Sequence, residues 1–283
     1  MSSSIIITGS NVVNSNNNEF VYNFPQSVDL KNCTIALQSI SIFYSWFNVS
    51  ATTYNNNTFS YQWYDNTTST YVSYNVVLED GLWSVEDING FLQYTMISNG
   101  HYSVDTTTGN NVYYIQLEVN SVLYAVQTNT DPVTPVAPTG IEYQFTAPTQ
   151  NFNPIVVYPA NFSSLVGYAA NFTTTESTAG TNLSFVSSVA PQIQPSPTLL
   201  MSVNCVFNKF ASPPNILFAI TPNVNVGANY FLQPFPIFAP ILGGQYRQIR
   251  LQLMNTNYLM IPLADPNVCI VLQIKENPQL IKN

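Results

Sequence analysis

At 283 residues the chain can bury a large core, and a composition that is 46% hydrophobic and 13% aromatic excludes a disordered polypeptide. Only 7% of its residues are charged, against about a quarter in an ordinary globular chain, so the surface is built from Asn, Ser, Thr, Gln and Tyr and much of it is expected to be covered in the working state. A net charge of −8 with six basic residues, of which only Arg247 and Arg250 lie close together, argues against nucleic-acid binding, which needs clustered cations.

In chain order, MSSSIIITGSNVV has no basic flank and too short an apolar run for a secretory signal. No stretch approaches the ~18 apolar residues of a membrane span, so synthesis in a cytosol-like compartment and a soluble product are expected. Residues 1–18 read as a flexible N-terminal arm, and FVYNF (20–24) as a strand. In CTIALQSISIFYSWF, Ile35 and Leu37 share one face, whereas Ile40, Ile42, Tyr44 and Trp46 continue on the opposite parity. A one-residue slip in a period-2 pattern predicts a β-bulge near Gln38–Ser39. TFSYQWY (58–64) is the next strand.

Only one segment has helical spacing. Ser84-Val85-Glu86-Asp87 is a capping-box start, Ile88, Phe91, Leu92 and Met96 form one apolar stripe, and Asn99–Gly100 supplies a left-handed stop. In NVYYIQLEVNSVLYAVQ, Ile115, Leu117 and Val119 alternate with Gln116 and Glu118, and Asn120–Ser121 separates a second apolar run, as in a hairpin. Between Thr128 and Pro197, DPVTPVAPTG, TTTESTAG and QPSP mark long Pro/Thr/Ala-rich loops around the short apolar pieces IVVYP and SLVGY. Residues 129–198 therefore read as an extended loop or insertion region rather than a second domain.

LLMSVNCVF (199–207) and NILFAI (215–220) read as strands. RQIRLQLM alternates Ile249, Leu251 and Leu253 with Arg250, Gln252 and Met254, and a turn at Asn255–Thr256–Asn257 follows. The unbroken apolar run Val268–Leu272 reads as a strand buried on both faces. Cys33, Cys205 and Cys269, odd in number and set in apolar runs, read as buried free thiols.

Candidate chemistry centres on residues 79–105, which hold five of the fourteen acids and the single histidine. Helix electrostatics accounts for the placement: Glu86 and Asp87 sit in the first turn, and His101 lies just past the last, each where the dipole favours its charge. Glu79 and Asp80 precede Gly81 in a turn. There is no G-x-S-x-G, C-x-x-C, H-x-x-x-H, calcium loop or phosphate-binding loop. No catalytic, cofactor or metal residue is assigned, and no enzyme is expected. Trp46, Trp63 and Trp83 suit packing better than a sugar platform. Sequons at Asn32, Asn48, Asn56, Asn66, Asn161, Asn171 and Asn182 are expected by chance in so Asn- and Thr-rich a chain.

Six blocks follow one another along the chain: KNCTIALQSISIFYSWFNVSA, LEDGLWSVEDINGFLQYTMISNGHYSVD, NNVYYIQLEVNSVLYAVQ, NFSSLVGY, SFVSSVAPQIQPSPTLLMSVNCVFNKFASPPNILFAITPNVNVG and GGQYRQIRLQLMNTNYLMIPLADPNVCIVLQIKEN. In order and spacing they resemble the penton, or minor capsid, proteins of virophages and Polinton-like viruses, with relatives in large DNA viruses. The resemblance rests on the number and order of the blocks, and residues 129 to about 150 match least. It implies an all-β fold over 1–283, a single jelly-roll β-sandwich of two antiparallel four-stranded sheets with one short helix. It also implies a structural virion protein made in the host cytoplasm. Five copies would form the capsomer at a capsid vertex, with the major capsid protein as neighbour and no cofactor. Two other classes are carried beside it: a β-sandwich carbohydrate-binding or adhesin module, and a two-carboxylate glycoside hydrolase.

Overall fold

The apolar residues of the alternating segments gather into two cores. The computed structural model describes residues 2–193, 198–225 and 227–276; the QPSP sequence (194–197) and Lys282 lie outside them. Two compact units result, unit 1 from Met1–Phe47 with Ser196–Asn283 and unit 2 from Asn48–Pro195. Unit 1 begins with β1 (Ser2–Thr8), β2 (Glu19–Asp29) and β3 (Cys33–Phe43). Unit 2 follows with β4 (Thr58–Asp65), β5 (Thr70–Val77), α1 (Val85–Ser98), β6 (Ser103–Asp105), β7 (Asn111–Val112) and β8 (Ile115–Asn120). It continues through β9 (Ala125–Thr130), β10 (Ile141–Tyr143), β11 (Ile155–Tyr158), α2 (Ala160–Val166), β12 (Phe172–Thr173) and β13 (Leu183–Val186). The chain returns to unit 1 as β14 (Leu199–Val203), β15 (Ile216–Ile220), β16 (Asn229–Leu232), β17 (Ala239–Pro240), β18 (Gln245–Met254) and β19 (Val268–Glu276).

In unit 1 two antiparallel sheets share one core. The first runs β1-β19-β3-β16, with β17 also on β3, and the second β15-β14-β18-β2. Ile35, Leu37, Ile40 and Ile270 of the first pack with Phe20, Met201, Leu251 and Leu253 of the second. On β3, Ser39 pairs with Val271 and Leu37 with Leu272, so Gln38 is the extra residue of the expected bulge. That bulge turns both parities, Ile35 with Leu37 and Ile40 with Ile42, to the same buried face. β18 alternates as read, with Ile249, Leu251 and Leu253 inside. β2 extends beyond Phe24 through Pro25, which an edge strand tolerates, and its ladder skips from Asn23 to Val28.

Two readings change in unit 1. Part of the expected flexible arm, Ser2–Thr8, is strand β1, tied along β19 with Ile5 and Ile7 in the core. On β19, Val268, Ile270, Leu272 and Ile274 face inward while Cys269 is exposed and Val271 half-buried, so one face is covered rather than both.

Unit 2 holds three antiparallel sheets, β12-β11-β4-β5, β13-β9-β8 and β10-β6-β7. The described residues thus form five sheets and two α-helices instead of two four-stranded sheets and one helix. The reason lies in residues 129–198, which do more than loop. They supply β10 to β13 and α2, and with them Val133, Phe152, Val156, Tyr158, Phe162 and Leu165 of a second core. No helix among the described residues is long and apolar enough to cross a membrane.

α1 is the helix foreseen. The Ser84 hydroxyl accepts the Asp87 N–H at 3.1 Å and the Asp87 carboxylate accepts the Ser84 N–H at 3.1 Å. At the other end Gly100, at φ 74°, lets the His101 N–H reach the Met96 carbonyl at 2.8 Å and its own N–H reach Ile97 at 2.9 Å. Val85, Ile88, Leu92 and Met96 are buried, and Phe91 is only half-buried. Ser84→Ala should lower stability by about 1 kcal/mol, the usual value of a lost cap, read as a shift in the thermal melt; no shift would mean the box contributes nothing. The β8–β9 hairpin also forms, but Ser121–Tyr124 make its turn, so Val122, Leu123 and Tyr124 lie at the tip and not in the second strand.

Candidate assembly surfaces

The acids and the histidine of residues 79–105 separate in space. Asp80 accepts the Ser50 hydroxyl at 2.8 Å and the Ala51 N–H at 2.6 Å. Asp87 closes the helix cap, and Glu86 is exposed. The Asp105 carboxylate takes the Thr107 N–H at 2.8 Å, which holds its pKa below the usual value. His101 is 7% exposed and lies flat on Trp63, with ring centroids 4.5 Å apart and planes at 9°. The Tyr74 ring meets it edge-on at 4.6 Å. Tyr61 Oη accepts an N–H of Asn99 at 3.1 Å and shares a hydrogen bond with His101 Nδ1 at 2.9 Å. Burial lowers the ring's pKa to about 4, so it is neutral at neutral pH. The helix dipole, offered above as the reason for a charged histidine here, gives way to an aromatic box that holds the uncharged ring. Among the described residues no group of three or more His, Cys, Asp or Glu gathers as for a metal.

The remaining candidates distribute as follows. Trp46 and Trp63 are buried, and Trp83 is half-buried with its Nε1 donating to the Glu79 carbonyl at 2.9 Å. Trp83, Phe91 and Tyr94 line an open depression of about 510 Å³ with Leu82, Asp87 and Gly90. Of the sequons, Asn48 and Asn56 are buried; the Asn48 amide spans Trp83 and Ile193 at 2.7 and 2.6 Å. Cys33 and Cys205 are buried as expected, burial pushing the Cys205 thiol up to about 12, but Cys269 is exposed on the open face of β19. Arg250 pairs with Glu19 at 3.1 Å across β18 and β2.

The polar surface also carries exposed apolar side chains. On unit 1, Phe210, Phe231, Phe235, Ile237, Leu242 and Leu259 are exposed; on unit 2, Tyr94, Val122, Leu123, Tyr124, Val136 and Val189 are. Periodicity could not reveal these residues, because an apolar side chain meant for a partner has the same pattern as one meant for the core. Charge divides unevenly as well. Every Lys and Arg belongs to unit 1, whereas ten of the fourteen acids belong to unit 2, which has no basic residue other than His101.

No protein-family model matches the chain, and no curated protein matches it. Among solved structures it is similar to the mavirus penton protein, at 8% identity over 97% of each chain with a TM-score of 0.44. It is also similar to a chain in the Sputnik virophage structure solved by cryo-electron microscopy, at 10% identity over 100% of this chain and 99% of that one, with a TM-score of 0.37.

Proposed function

We propose that the chain is a structural virion protein, a penton subunit of which five copies form the capsomer at a capsid vertex, in contact with the major capsid protein. The observation that carries this reading is the exposed apolar surface on a chain with 7% charge, a combination suited to a molecule whose flanks are covered by neighbours. The ordered sequence blocks resembling virophage pentons support it. So does unit 1, whose two antiparallel sheets over one core suit the jelly roll, with unit 2 as a domain carried between β3 and β14.

Five subunits around an axis would make heterologous contacts that close into a ring. Amide, hydroxyl and aromatic side chains suit such contacts because covering them costs less than covering ions. Native mass spectrometry of the purified protein tests the reading: species of five copies are expected, and a monomer at every attainable concentration would end it. A second reading, carbohydrate binding, is favoured by the Trp83–Phe91–Tyr94 depression. Saturable glycan binding by a monomer, lost in Tyr94→Ala, would select it.

A further inference from the structure

The segment from β16 to β17 runs antiparallel along the free edge of β3. Phe231 pairs with Ser41 and Leu232 with Ile40; pairing then lapses and resumes with Ala239 opposite Ile35. Pro234 and Pro236 lie in the gap and have no N–H to give the ladder. Over Phe231–Ile237 exposure alternates: Phe231, Gln233, Phe235 and Ile237 point outward, while Leu232, Pro234 and Pro236 are half-buried. The three outward apolar side chains are 62%, 89% and 69% exposed.

This backbone is stiff. Each proline fixes its own φ, and the residue before each, Gln233 and Phe235, is confined to extended geometry. A partner meeting Phe235 therefore has little backbone entropy to overcome, since the chain that presents it is already fixed in extended form. Covering the three apolar side chains removes roughly 400 Å², about half of what one side of a stable interface covers. They can form its centre.

Charge says what the partner is. Residues 210–246 contain no Asp, Glu, Lys, Arg or His, so this edge brings no charge into a heterologous contact with a different face of unit 1 on the neighbouring copy. Unit 2, with ten acids and no Lys or Arg, would repel another unit 2. We propose that the edge segment Phe231–Ile237 is the centre of the contact by which unit 1 joins unit 1 of a second copy. The proposal rests on the capsomer reading and adds the surface through which it assembles.

The test compares full-length variants by native mass spectrometry and light scattering across a concentration series. Phe231→Ser/Phe235→Ser/Ile237→Ser should need at least about tenfold more protein to form the oligomer, as for loss of a central anchor cluster. Val122→Ser/Leu123→Ser, at the unit 2 hairpin tip, should assemble like the wild type. The changed side chains are exposed, so the melting temperature should hold; Phe235→Arg, a single charge in the neutral face, gives an independent reading should the triple variant misfold. An oligomer that survives both unit 1 variants overturns this surface and leaves the capsomer reading standing. Loss of the oligomer in the hairpin variant alone moves the contact to unit 2 and overturns it as well. A wild type that never associates removes both.

Discussion

Gly167→Ala is expected to cost about 3 kcal/mol of stability, and the reason is a crossing of two chains. α2 ends at Gly167, which adopts φ 80° and ψ 20° so that its N–H and that of Tyr168 reach back to the Ser163 carbonyl. The strap after β13 then passes over this point: the Val189 N–H donates to the Gly167 carbonyl at 3.0 Å, and Ser187 exchanges hydrogen bonds with Val126 at 2.8 and 3.0 Å. A Cβ on residue 167 would lie 2.3 Å from the Val189 carbonyl oxygen and 3.0 Å from the Pro191 nitrogen. Both are backbone atoms and cannot swing aside. The left-handed conformation costs an L-residue roughly 1–2 kcal/mol, and forced displacement of packed groups adds about as much. Gly109, at φ 75° with nothing within 4 Å of its would-be Cβ, is the control. Gly109→Ala should show only the conformational part, about 1 kcal/mol. Urea denaturation of both variants checks this; equal losses would remove the crossing from the explanation.

The second large effect is a loss of stability in acid, centred on His101. Its ring has a pKa of about 4 in the folded protein, against 6.5 for the free side chain, because burial opposes the charged form. Above pH 6.5 the ring is neutral in both states and the box is undisturbed. As pH falls toward 4 the unfolded chain takes up a proton that the folded one resists, and about 3 kcal/mol is lost by pH 4. Carboxylates titrate over the same range, so the comparison is with His101→Gln, which cannot take the proton. The stability gap between wild type and His101→Gln should narrow by about 3 kcal/mol from pH 7 to pH 4. A gap that keeps its size over that interval would show that the ring is not the group responsible.

Much of the architecture was legible where one rule dominates. The parity change between Leu37 and Ile40 located the bulge at Gln38, and the Ser84 and Gly100 signals located both ends of α1. Legibility failed where length or context decides. α2 has seven residues, too few for a stripe to stand out, and SLV within it reads as a loop fragment. Val122, Leu123 and Tyr124 look like strand residues because turns are ordinarily polar. The run Val268–Leu272 carries no mark of what covers its second face, and that face is open in the isolated chain. Of the chemistry, the sequence showed which residues could react but not that His101 lies against Trp63 and Tyr61, since strands 40 residues away supply the box.

The uneven placement of lysine and arginine has a practical side. Trypsin requires a Lys or Arg and amine-directed labels a Lys or the chain's amino terminus, and between Lys31 and Lys209 neither finds one. Protease nicking, lysine crosslinks and amine dyes will therefore report on unit 1 while passing over the whole of unit 2, so an intact tryptic fragment spanning it is no measure of how tightly it is folded.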